Sequence, residues 1–346
     1  MEAKMLPSIA VLVLNYNGCH FLRHCFLSLQ KQTYPLQHVY LVDNNSSDGS
    51  VAYTRKHFPE VVIISLERNY GFAEAYNRAV AQVEEPFVVF LNNDTHCSPD
   101  WLERLYAPIS ENTLIAAAGS RMLFADHPEI INHGGGYFTL AGIGLDRDFG
   151  VHIDDPALPR QPFITAYACG GAMLINREIF LAAGGFDPEY FIYFEDVDLA
   201  FRIWMMGYSI VHVPNSVVFH YFSPVFGKES PAKLFLCQKN RLANIFKHFN
   251  FVTLARAIIV SLGYDLGRIV QWKRTRQINQ IMAIIRGGLF FWGNLPRIID
   301  QRRFSQKFRV RNDPWFYDKQ LVLSLAASLK EMKRLKAVKE KLFNAS

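Results

Sequence analysis

The sequence predicts an α/β fold with a mostly parallel sheet flanked by helices, followed by a helical C-terminal region. Two observations carry this prediction. Short apolar runs alternate with segments of helical periodicity through residues 1–120, and polar side chains follow the ends of those runs. Alternating strands and helices indicate a parallel sheet with right-handed crossovers. Ligands of such sheets bind beyond the carboxyl ends of the strands, so these polar side chains are candidate site residues.

The first predicted strand covers residues 9–14, a continuous apolar run of the kind found in strands that are covered on both faces. Further strands are predicted at residues 39–42, 61–64 and 86–91, with helices at 21–29 and 71–83 between them. The glycines of residues 134–150 predict an irregular stretch. Beyond it we expect strand-like content at 163–175, helices at 176–183, 196–206 and 231–249, and short strands at 208–213 and 217–221.

Charge divides the chain into two regions. Residues 1–250 carry 18 Lys and Arg against 25 Asp and Glu, whereas residues 251–346 carry 19 against 6. We therefore expect a catalytic domain over residues 1–250 and a basic helical region over residues 251–346. A half-hydrophobic chain of 346 residues is long enough for this and is not disordered. A net charge that is negative in the first region and positive in the second indicates an anionic surface as a partner of the second.

The basic region contains Lys273, Arg274, Arg276 and the arginines of residues 297–311, interleaved with the aromatic residues 290–292. Contact with anionic lipid is the favoured interpretation, with a solvated helical face as the alternative. No nucleic-acid-binding motif accompanies these charges, so we expect no nucleic-acid partner. No run of about 18 uncharged apolar residues is present, which argues against a membrane-spanning helix.

The five cysteines are scattered and form no C-x-x-C pair, which argues against a zinc knuckle or a disulfide framework. Reduced thiols, and a start that does not resemble a signal peptide, predict a cytoplasmic protein. Together with the basic region, they predict peripheral association with the inner face of the cell membrane.

Three carboxylates, Glu195, Asp196 and Asp198, lie within four positions beside the aromatic run 190–194. Apolar surroundings and like charges both raise the pKa of a carboxyl group, as a base working near neutral pH requires. Asp198 is expected to pair with Arg202 one helical turn later. Glu195 and Asp196 are therefore the candidate catalytic residues.

Asp94 follows the strand at 86–91, directly after Asn92 and Asn93. A carboxylate at a strand end can bind a divalent cation shared with substrate phosphates. The alternative is a turn aspartate that caps the next helix. His220 lies at the end of a later predicted strand and becomes a second candidate ligand if it faces Asp94.

Two further loops carry candidate ligand contacts. Asp43 could accept hydrogen bonds from a nucleobase N–H or a ribose hydroxyl, while Asp48 is expected to cap a helix. Asn69 and Gly71 precede a helix whose N-terminus favours phosphate, and an N-cap role for Asn69 is equally compatible with the spacing.

Taken together, these segments resemble the family 2 glycosyltransferases of the GT-A (Rossmann-like) fold, in particular the rhamnosyltransferase-like group. The resemblance covers roughly residues 8–250. The matching segments are residues 13–18, 42–49, 69–73, 91–94, 170–175, 185–187, 195–199, 220–223 and 239–241.

The resemblance implies transfer of a sugar, with inversion, from a nucleotide-diphosphate donor to a hydroxyl of a glycan or lipid-linked acceptor in cell-surface polysaccharide synthesis. UDP- and dTDP-sugars are the expected donors, dTDP-rhamnose among them. By the same resemblance Asp43 contacts the nucleoside and Asp94 binds Mg²⁺ or Mn²⁺, with His220 as a further metal or phosphate ligand. Asp196 is the base, with Glu195 beside it. The other expected donor-site residues are Asn15, Asn17, Asn69, Asn92 and Asn93. Asn92 stands where many members carry Asp, which lowers the charge of the metal site.

Three other functions fit the sequence less well. A non-catalytic sugar-nucleotide-binding scaffold is disfavoured by the presence of both Asp94 and Asp196. A dinucleotide-dependent oxidoreductase is disfavoured because the first strand ends in Asn-Tyr-Asn-Gly rather than G-x-G-x-x-G. A nucleotidyltransferase would carry a glycine-rich phosphate loop with a basic residue after the first strand, and none is present there.

Overall fold

The computed structural model describes residues 6–36, 38–221 and 230–343. The predicted residues Phe222 and Ser223 lie outside the described residues. The strands are β1 (Ile9–Asn15), β2 (His38–Asp43), β3 (Val62–Ser65), β4 (Phe87–Asn92), β5 (Thr95–Cys97), β6 (Ile115–Phe124), β7 (Ile131–His133), β8 (Gly136–Thr139), β9 (Gly144–Asp146), β10 (Phe163–Ile164), β11 (Ala172–Asn176), β12 (Ser209–His220) and β13 (Val322–Leu323).

The helices before residue 250 are α1 (Cys19–Leu29), α2 (Ser50–His57), α3 (Ala73–Val80), α4 (Trp101–Glu111), α5 (Arg177–Ala182), α6 (Glu195–Met205) and α7 (Pro231–His248). A short 3-10 helix covers Pro188–Tyr190. The C-terminal region consists of α8 (Phe251–Arg274), α9 (Ile278–Gly293), α10 (Leu295–Lys307), α11 (Asp313–Asp318) and α12 (Leu325–Phe343). Among the described helices, none is both long enough and apolar enough to cross a membrane.

The central sheet has the strand order β10-β12-β6-β11-β4-β1-β2-β3. Strands β1, β2, β3 and β4 run parallel, and their register brings polar residues to one edge: Asn15 pairs with Asp43, and Leu14 pairs with Asn92. Strand β11 is antiparallel to both β4 and β6, whereas β12 runs parallel to β6. The predicted α/β fold is thus confirmed, as a mixed sheet whose N-terminal half is parallel.

Both faces of the sheet are buried, which explains the continuous apolar sequence of β1. Ala10 and Leu12 join the hydrophobic cluster on one face, and Ile9, Val11 and Val13 join the cluster on the other. Successive side chains of a strand point to opposite faces, so only a strand covered on both sides needs such a run.

Two local expectations were wrong, and one long strand was not predicted. Residues 134–150, expected to be irregular, contain β8 and β9, which form a small sheet with β13. The two strands expected at 208–213 and 217–221 form one strand, β12, with a register shift between Val213 and Val217. Pro214 lies in that shift, where a missing N–H does not interrupt the ladder. Strand β6 was not predicted.

The C-terminal helices pack against the rest of the chain. Leu254 and Ala257 of α8 belong to the same buried cluster as the sheet and α6. Two arginines that were expected at an anionic surface bind backbone carbonyls instead: Arg302 donates to Phe246 and Phe249, and Arg311 donates to Gly207 and Tyr208. These arginines stabilise the packing of the two regions.

Candidate active site

The aligned ends of β1, β2 and β4 bring a group of buried amide and carboxyl side chains together. The Asn15 Nδ2 atom donates to Asp43 Oδ1 at 3.3 Å and to Ser46 Oγ at 3.0 Å, while Asn15 Oδ1 accepts a hydrogen bond from Asn93. Asn15 and Asp43 are almost fully buried. Asn15 therefore connects the nucleoside candidate Asp43 to the loop that carries Asp94.

The loops after β1 and β2 are held together by Asn17, which has a positive φ of 53°. Its Oδ1 accepts from the Ser47 N–H at 2.8 Å, and its own N–H donates to Ser46 Oγ at 2.9 Å. Asp43 Oδ2 accepts from the Ser46 N–H at 3.1 Å. Each carboxylate oxygen keeps a further acceptor position, so Asp43 can still receive a donor from a ligand.

Asp48 plays the structural part that its loop predicts. Its Oδ1 accepts from the Ser50 N–H at 3.1 Å and from the Ser50 hydroxyl, at the start of α2. Its Oδ2 accepts from the N–H of Cys19, the first residue of α1, at 2.8 Å. Asp48 thus satisfies N–H groups at the start of two neighbouring helices.

The segment before α3 does not present the free helix N-terminus that a phosphate site, one of its two interpretations, requires. The backbone N–H groups of Phe72 and Ala73 both donate to the carbonyl oxygen of Phe191, at 2.6 and 3.2 Å. Gly71, with φ of +75°, lies so close to Phe191 that an added Cβ would fall 2.5 Å from the Phe191 oxygen. The N-terminus of α3 is therefore occupied by protein, and Gly71 permits the approach of Phe191.

Asn69 does not cap α3, whose N-cap residue is Phe72. Its Oδ1 accepts from the Gly71 N–H at 2.8 Å and from Asn44 Nδ2 at 3.0 Å. The almost fully buried Asn44 also donates to the Gly71 carbonyl and accepts from the Tyr70 N–H, each at 2.8 Å. Asn44, which was not among the predicted site residues, thus connects the loop after β2 to the Asn69 loop.

Asp94 and His220 are brought together by antiparallel pairing of β5 with β12, in which His220 lies opposite Thr95. The Asp94 Oδ2 and His220 Nε2 atoms are 3.4 Å apart, and His220 Nδ1 lies 3.1 Å from Asn132 Oδ1. Asp94 Oδ1 is buried and has no hydrogen-bond partner among the residues that the structure describes. A buried carboxylate oxygen left in this state suits a cation ligand.

These two residues do not form a complete metal site. Within the described ranges, no group of three or more His, Cys, Asp or Glu side chains could hold a metal ion. Asn92 contributes no charge here because its side chain is an amide, whereas many proteins of the resembling family carry Asp at this position. A cation bound by Asp94 and His220 would need further ligands from the substrate and water.

Glu195 and Asp196 are the first two residues of α6. The Asp196 carboxylate accepts from the Gly170 N–H at 3.2 Å and from its neighbour Val197 N–H at 2.8 Å. Burial raises the pKa of Asp196 to about 6, although these hydrogen bonds oppose the shift. Burial and the charge of Asp196 raise the pKa of Glu195 well above its usual range. Within the described part of the chain, no group hydrogen-bonds the buried Glu195 Oε2.

The Gly170–Gly171 turn connects this acidic pair to the end of β4. The Asn92 N–H donates to the Gly171 carbonyl at 3.0 Å, and the Gly170 N–H binds Asp196. Asp196 and the strand end that leads to Asp94 therefore lie on either side of the same two-residue turn. Because burial raises both pKa values and the like charge of Asp196 raises that of Glu195 further, the pair favours holding a proton.

The turn before α6 has an unusual backbone that α7 supports. Phe191, Tyr193 and Phe194 all have positive φ angles, of 61°, 74° and 66°. The Asn240 Nδ2 atom lies 3.1, 3.1 and 2.7 Å from the carbonyl oxygens of Tyr190, Ile192 and Tyr193, respectively. Because such angles are unfavourable for residues with a Cβ, the turn depends on contacts of this kind.

Asp198 forms a buried ion network, and the expected pair with Arg202 is present, with Arg202 Nε 3.1 Å from Asp198 Oδ2. Lys247 contacts the same carboxylate, and His248 Nε2 lies 2.8 Å from its Oδ1. Burial opposes ionisation, but the charges of Arg202 and Lys247 hold the pKa of Asp198 well below its usual range. The network ties α6 to α7.

A third group near Asp196, formed by His133, Asp146 and Tyr167, was not predicted from the sequence. His133 Nδ1 lies 3.0 Å from Asp146 Oδ1, and the Tyr167 hydroxyl donates to that oxygen at 2.9 Å. The charge of His133 lowers the pKa of Asp196 and that of Asp146 raises it. The only sequence signal was the glycine-rich stretch that surrounds His133 and Asp146.

Comparisons with known proteins agree with this architecture. The family model described as Glycosyl transferase family 2 matches residues 10–182. An N-acetylglucosaminyl-diphospho-decaprenol L-rhamnosyltransferase of Mycobacterium tuberculosis is 29% identical over 258 residues, which cover 66% of this chain and 80% of that protein.

Two solved structures share the fold. GalNAc-T7 with UDP, GalNAc and Mn²⁺ has a TM-score of 0.65 at 17% identity, over 95% of this chain and 58% of that one. The mannosyltransferase PcManGT from Pyrobaculum calidifontis, in complex with GDP-Man and Mn²⁺, has a TM-score of 0.52 at 16% identity, over 83% and 87% of the two chains. At these identities the likeness concerns the fold alone.

Proposed function

We propose that this chain, which belongs to glycosyl transferase family 2, transfers a sugar from a nucleotide-diphosphate donor to a hydroxyl acceptor with inversion at the anomeric carbon. The observation that carries the proposal is the approach of Asp196, whose pKa is about 6, to the turn that adjoins the end of β4. A partly ionised carboxyl group at the ligand-binding edge of a parallel sheet suits a general base.

In this proposal the acceptor oxygen attacks the anomeric carbon, Asp196 takes the acceptor proton, and the nucleoside diphosphate leaves with the electrons of the cleaved C–O bond. Glu195 is proposed to keep its own proton because burial and the charge of Asp196 raise the pKa of Glu195 well above its usual range. The Gly170 N–H orients the base by its hydrogen bond to the carboxylate. Orientation by a fixed donor limits the positions that the basic oxygen can take.

Asp94 and His220 are proposed to bind Mg²⁺ or Mn²⁺, which would stabilise the negative charge on the departing diphosphate. The partnerless Oδ1 of Asp94 supports the assignment, as do the fold relatives GalNAc-T7 and PcManGT, which were solved with Mn²⁺. Asn132 contacts the other ring nitrogen of His220 and so restricts the orientation of the imidazole.

Asp43 is proposed to contact the nucleoside of a UDP- or dTDP-sugar, with Asn15, Asn17, Asn69, Asn92 and Asn93 shaping the donor site. Asn15 and Asn17 support this by the hydrogen bonds that hold the loops beside Asp43. The rhamnosyltransferase relative makes dTDP-rhamnose a donor to test first and a lipid-linked glycan an acceptor to test first. The basic C-terminal region, residues 251–346, is proposed to face an anionic membrane surface on the cytoplasmic side.

The proposal is tested with the purified full chain and a panel of UDP-, dTDP- and GDP-sugars, with and without Mn²⁺. We expect one pyrimidine donor to raise the melting temperature in a Mn²⁺-dependent manner and to be hydrolysed or transferred. Asp196→Asn should retain donor binding and lose turnover by about 100-fold or more. Asp126→Asn, which removes an exposed carboxylate elsewhere, is the matched control and should behave as the unmodified chain.

Two results would contradict the proposal. Normal turnover of Asp196→Asn would remove Asp196 from the reaction. Donor binding without hydrolysis or transfer by the unmodified chain, for every donor and acceptor tried, would favour the alternative of a sugar-nucleotide-binding scaffold in a membrane glycan assembly.

A further inference from the structure

Helices α8 and α9 expose two rows of large apolar side chains. The row on α9 consists of Ile278, Met282, Ile285, Leu289 and Trp292, and the row on α8 consists of Val252, Ile259, Leu262, Leu266 and Val270. Leu262 and Leu289 are 65% and 66% exposed. Spacings of three, four and seven place each row on one side of its helix, the arrangement that normally faces a core.

The two rows border one groove. Leu262 of α8 and Ile285, Leu289 and Trp292 of α9 all line an open cleft of about 320 Å³. Its floor is formed by apolar residues of α7, among them Leu242. The two rows therefore meet at this cleft through Leu262 of α8 and three residues of α9, and the polar Gln238, Ser261 and Asp265 complete its lining. We refer to the ten residues of the two rows as the hairpin face.

The charges around the hairpin face are almost all positive. Residues 251–293 contain six Lys and Arg residues and one acid, Asp265. Asp265 is already bound by Arg241 and Gln238 of α7. Lys273, Arg274 and Arg276 are exposed in or beside the turn between the two helices.

We propose that the hairpin face docks on an anionic lipid surface, with its apolar rows at the acyl boundary and the turn residues Lys273, Arg274 and Arg276 at the headgroups. An apolar helical face flanked by basic residues is suited to this environment. A second copy of the chain would bring two positively charged hairpins together, and they would repel each other. Anionic headgroups would instead balance the positive charge of the hairpin. The inference rests on the membrane contact of the proposed function. It goes further by naming the residues of the basic region that make this contact.

The test is flotation of the full chain with two kinds of vesicle, phosphatidylcholine alone and phosphatidylcholine mixed with phosphatidylglycerol. We expect binding to the anionic vesicles and little to the neutral ones. The double variant Leu262→Ser, Leu289→Ser should bind at least about tenfold more weakly, since each substitution removes a large apolar side chain from the lipid contact. Arg274→Glu, Arg276→Glu should also weaken binding, with a reduced salt dependence.

Matched controls remove equivalent groups outside the hairpin face. Leu114→Ser removes a leucine that is 59% exposed beside β6, and Arg55→Glu, Lys56→Glu reverses two exposed charges on α2. Both controls should leave vesicle binding unchanged, and every variant should keep its melting temperature because the substituted side chains are exposed.

Unchanged vesicle binding by the leucine double variant would overturn the inference. So would a concentration-dependent dimer that this variant dissociates, because the hairpin face would then bind a second copy. Donor binding is measured separately, without vesicles. A chain that binds vesicles through the hairpin face but binds no sugar nucleotide would contradict the proposed reaction and leave the inference standing.

Discussion

Asn240 donates a hydrogen bond of 2.7 Å to the carbonyl oxygen of Tyr193, which lies two residues before Glu195 and three before Asp196. The same Nδ2 atom also reaches the carbonyls of Tyr190 and Ile192. One buried amide on α7 therefore supports the turn of positive-φ residues from which the proposed base projects.

We expect Asn240→Asp to reduce kcat by about tenfold or more while donor affinity stays unchanged, because the replacement keeps the size of the side chain and removes both N–H donors. The turn would then lose its support and Asp196 its position. The measurement is kcat and KM alongside donor binding by calorimetry. Loss of the three contacts should also lower the free energy of unfolding by about 1–3 kcal/mol.

Asn279→Asp, at an exposed position of α9, is the control for the added charge and should change neither kcat nor the free energy of unfolding. A variant that lost stability but kept its kcat would show that Asn240 supports the fold without positioning the base.

The rate should depend on pH through Asp196. Its folded pKa of about 6 means that the basic form increases as pH rises through 6, so kcat should rise over that interval and level off above it. The check is a pH–rate profile from pH 5 to 8 with a saturating donor. A rate that is constant across this range would exclude Asp196 as the group that takes the proton.

The same shift predicts an opposite effect on stability. The folded pKa of Asp196 lies above the unfolded value of about 3.9, so its contribution is fully present at low pH and is lost as pH rises through 6. Asp196→Asn avoids this loss. Its melting temperature should therefore exceed that of the unmodified chain by a few degrees at pH 8, with the difference shrinking toward pH 4. Thermal unfolding at several pH values measures it, and no gain at pH 8 would contradict the assigned burial of the charge.

Removal of one proposed metal ligand should weaken cation binding. We expect Asp94→Asn and His220→Gln each to lower the affinity for Mn²⁺ in the presence of UDP by at least about tenfold. The readout is the Mn²⁺-dependent rise in melting temperature, which does not require turnover. His127→Gln, at an exposed position, provides the control. Equal Mn²⁺ affinity in all four proteins would place the cation elsewhere.

Asp198→Asn should destabilise the fold strongly. The substitution leaves Arg202 buried without its carboxylate and leaves Lys247 with Asp187 alone, and breaking a buried pair typically costs about 3–5 kcal/mol. Because the folded pKa of Asp198 is depressed, its contribution is present above about pH 4 and is lost as pH falls further. Urea unfolding at pH 7 and pH 3 should show a large difference that decreases in acid.

The exposed pair of Asp100 with Arg104 has the same i,i+4 spacing as Asp198 with Arg202 and provides a direct comparison. Asp100→Asn should change the free energy of unfolding by at most about 0.5 kcal/mol, since exposed pairs are screened by solvent. Similar losses in the two variants would show that burial of the Asp198 network contributes nothing.

Local pattern was sufficient to predict the strand ends that carry Asn15, Asp43 and Asn92, because a strand buried on both faces has a continuous apolar run. The same reasoning missed β6, whose first half, Ile115-Ala-Ala-Ala-Gly, is buried but made largely of residues with low β propensity. Its assignment depends on pairing with β11 and β12, which lie far away in the sequence.

The supporting residues of the site could not be predicted for a similar reason. Asn240 lies 47 residues from Tyr193, and Arg297 lies 110 residues from Asp187, to which it is bound at 2.6 Å. Their partners are set by the packing of α7 and α10 on α6, and neither helix carries a periodic signal that identifies them. The arginines of residues 297–311 were expected to form a single basic surface. In the structure, several of them instead donate hydrogen bonds to other parts of the chain.

The carbonyl of Phe191 completes the start of α3, and the same short peptide continues into the proposed base. Inserting or deleting one residue between Phe191 and Glu195 would therefore disturb two features of the fold at once. The first N–H groups of α3 would lose the Phe191 carbonyl as their acceptor, and Asp196 would shift. The length of this connection should be among the least variable in the chain during evolution, whatever happens to the side chains along it.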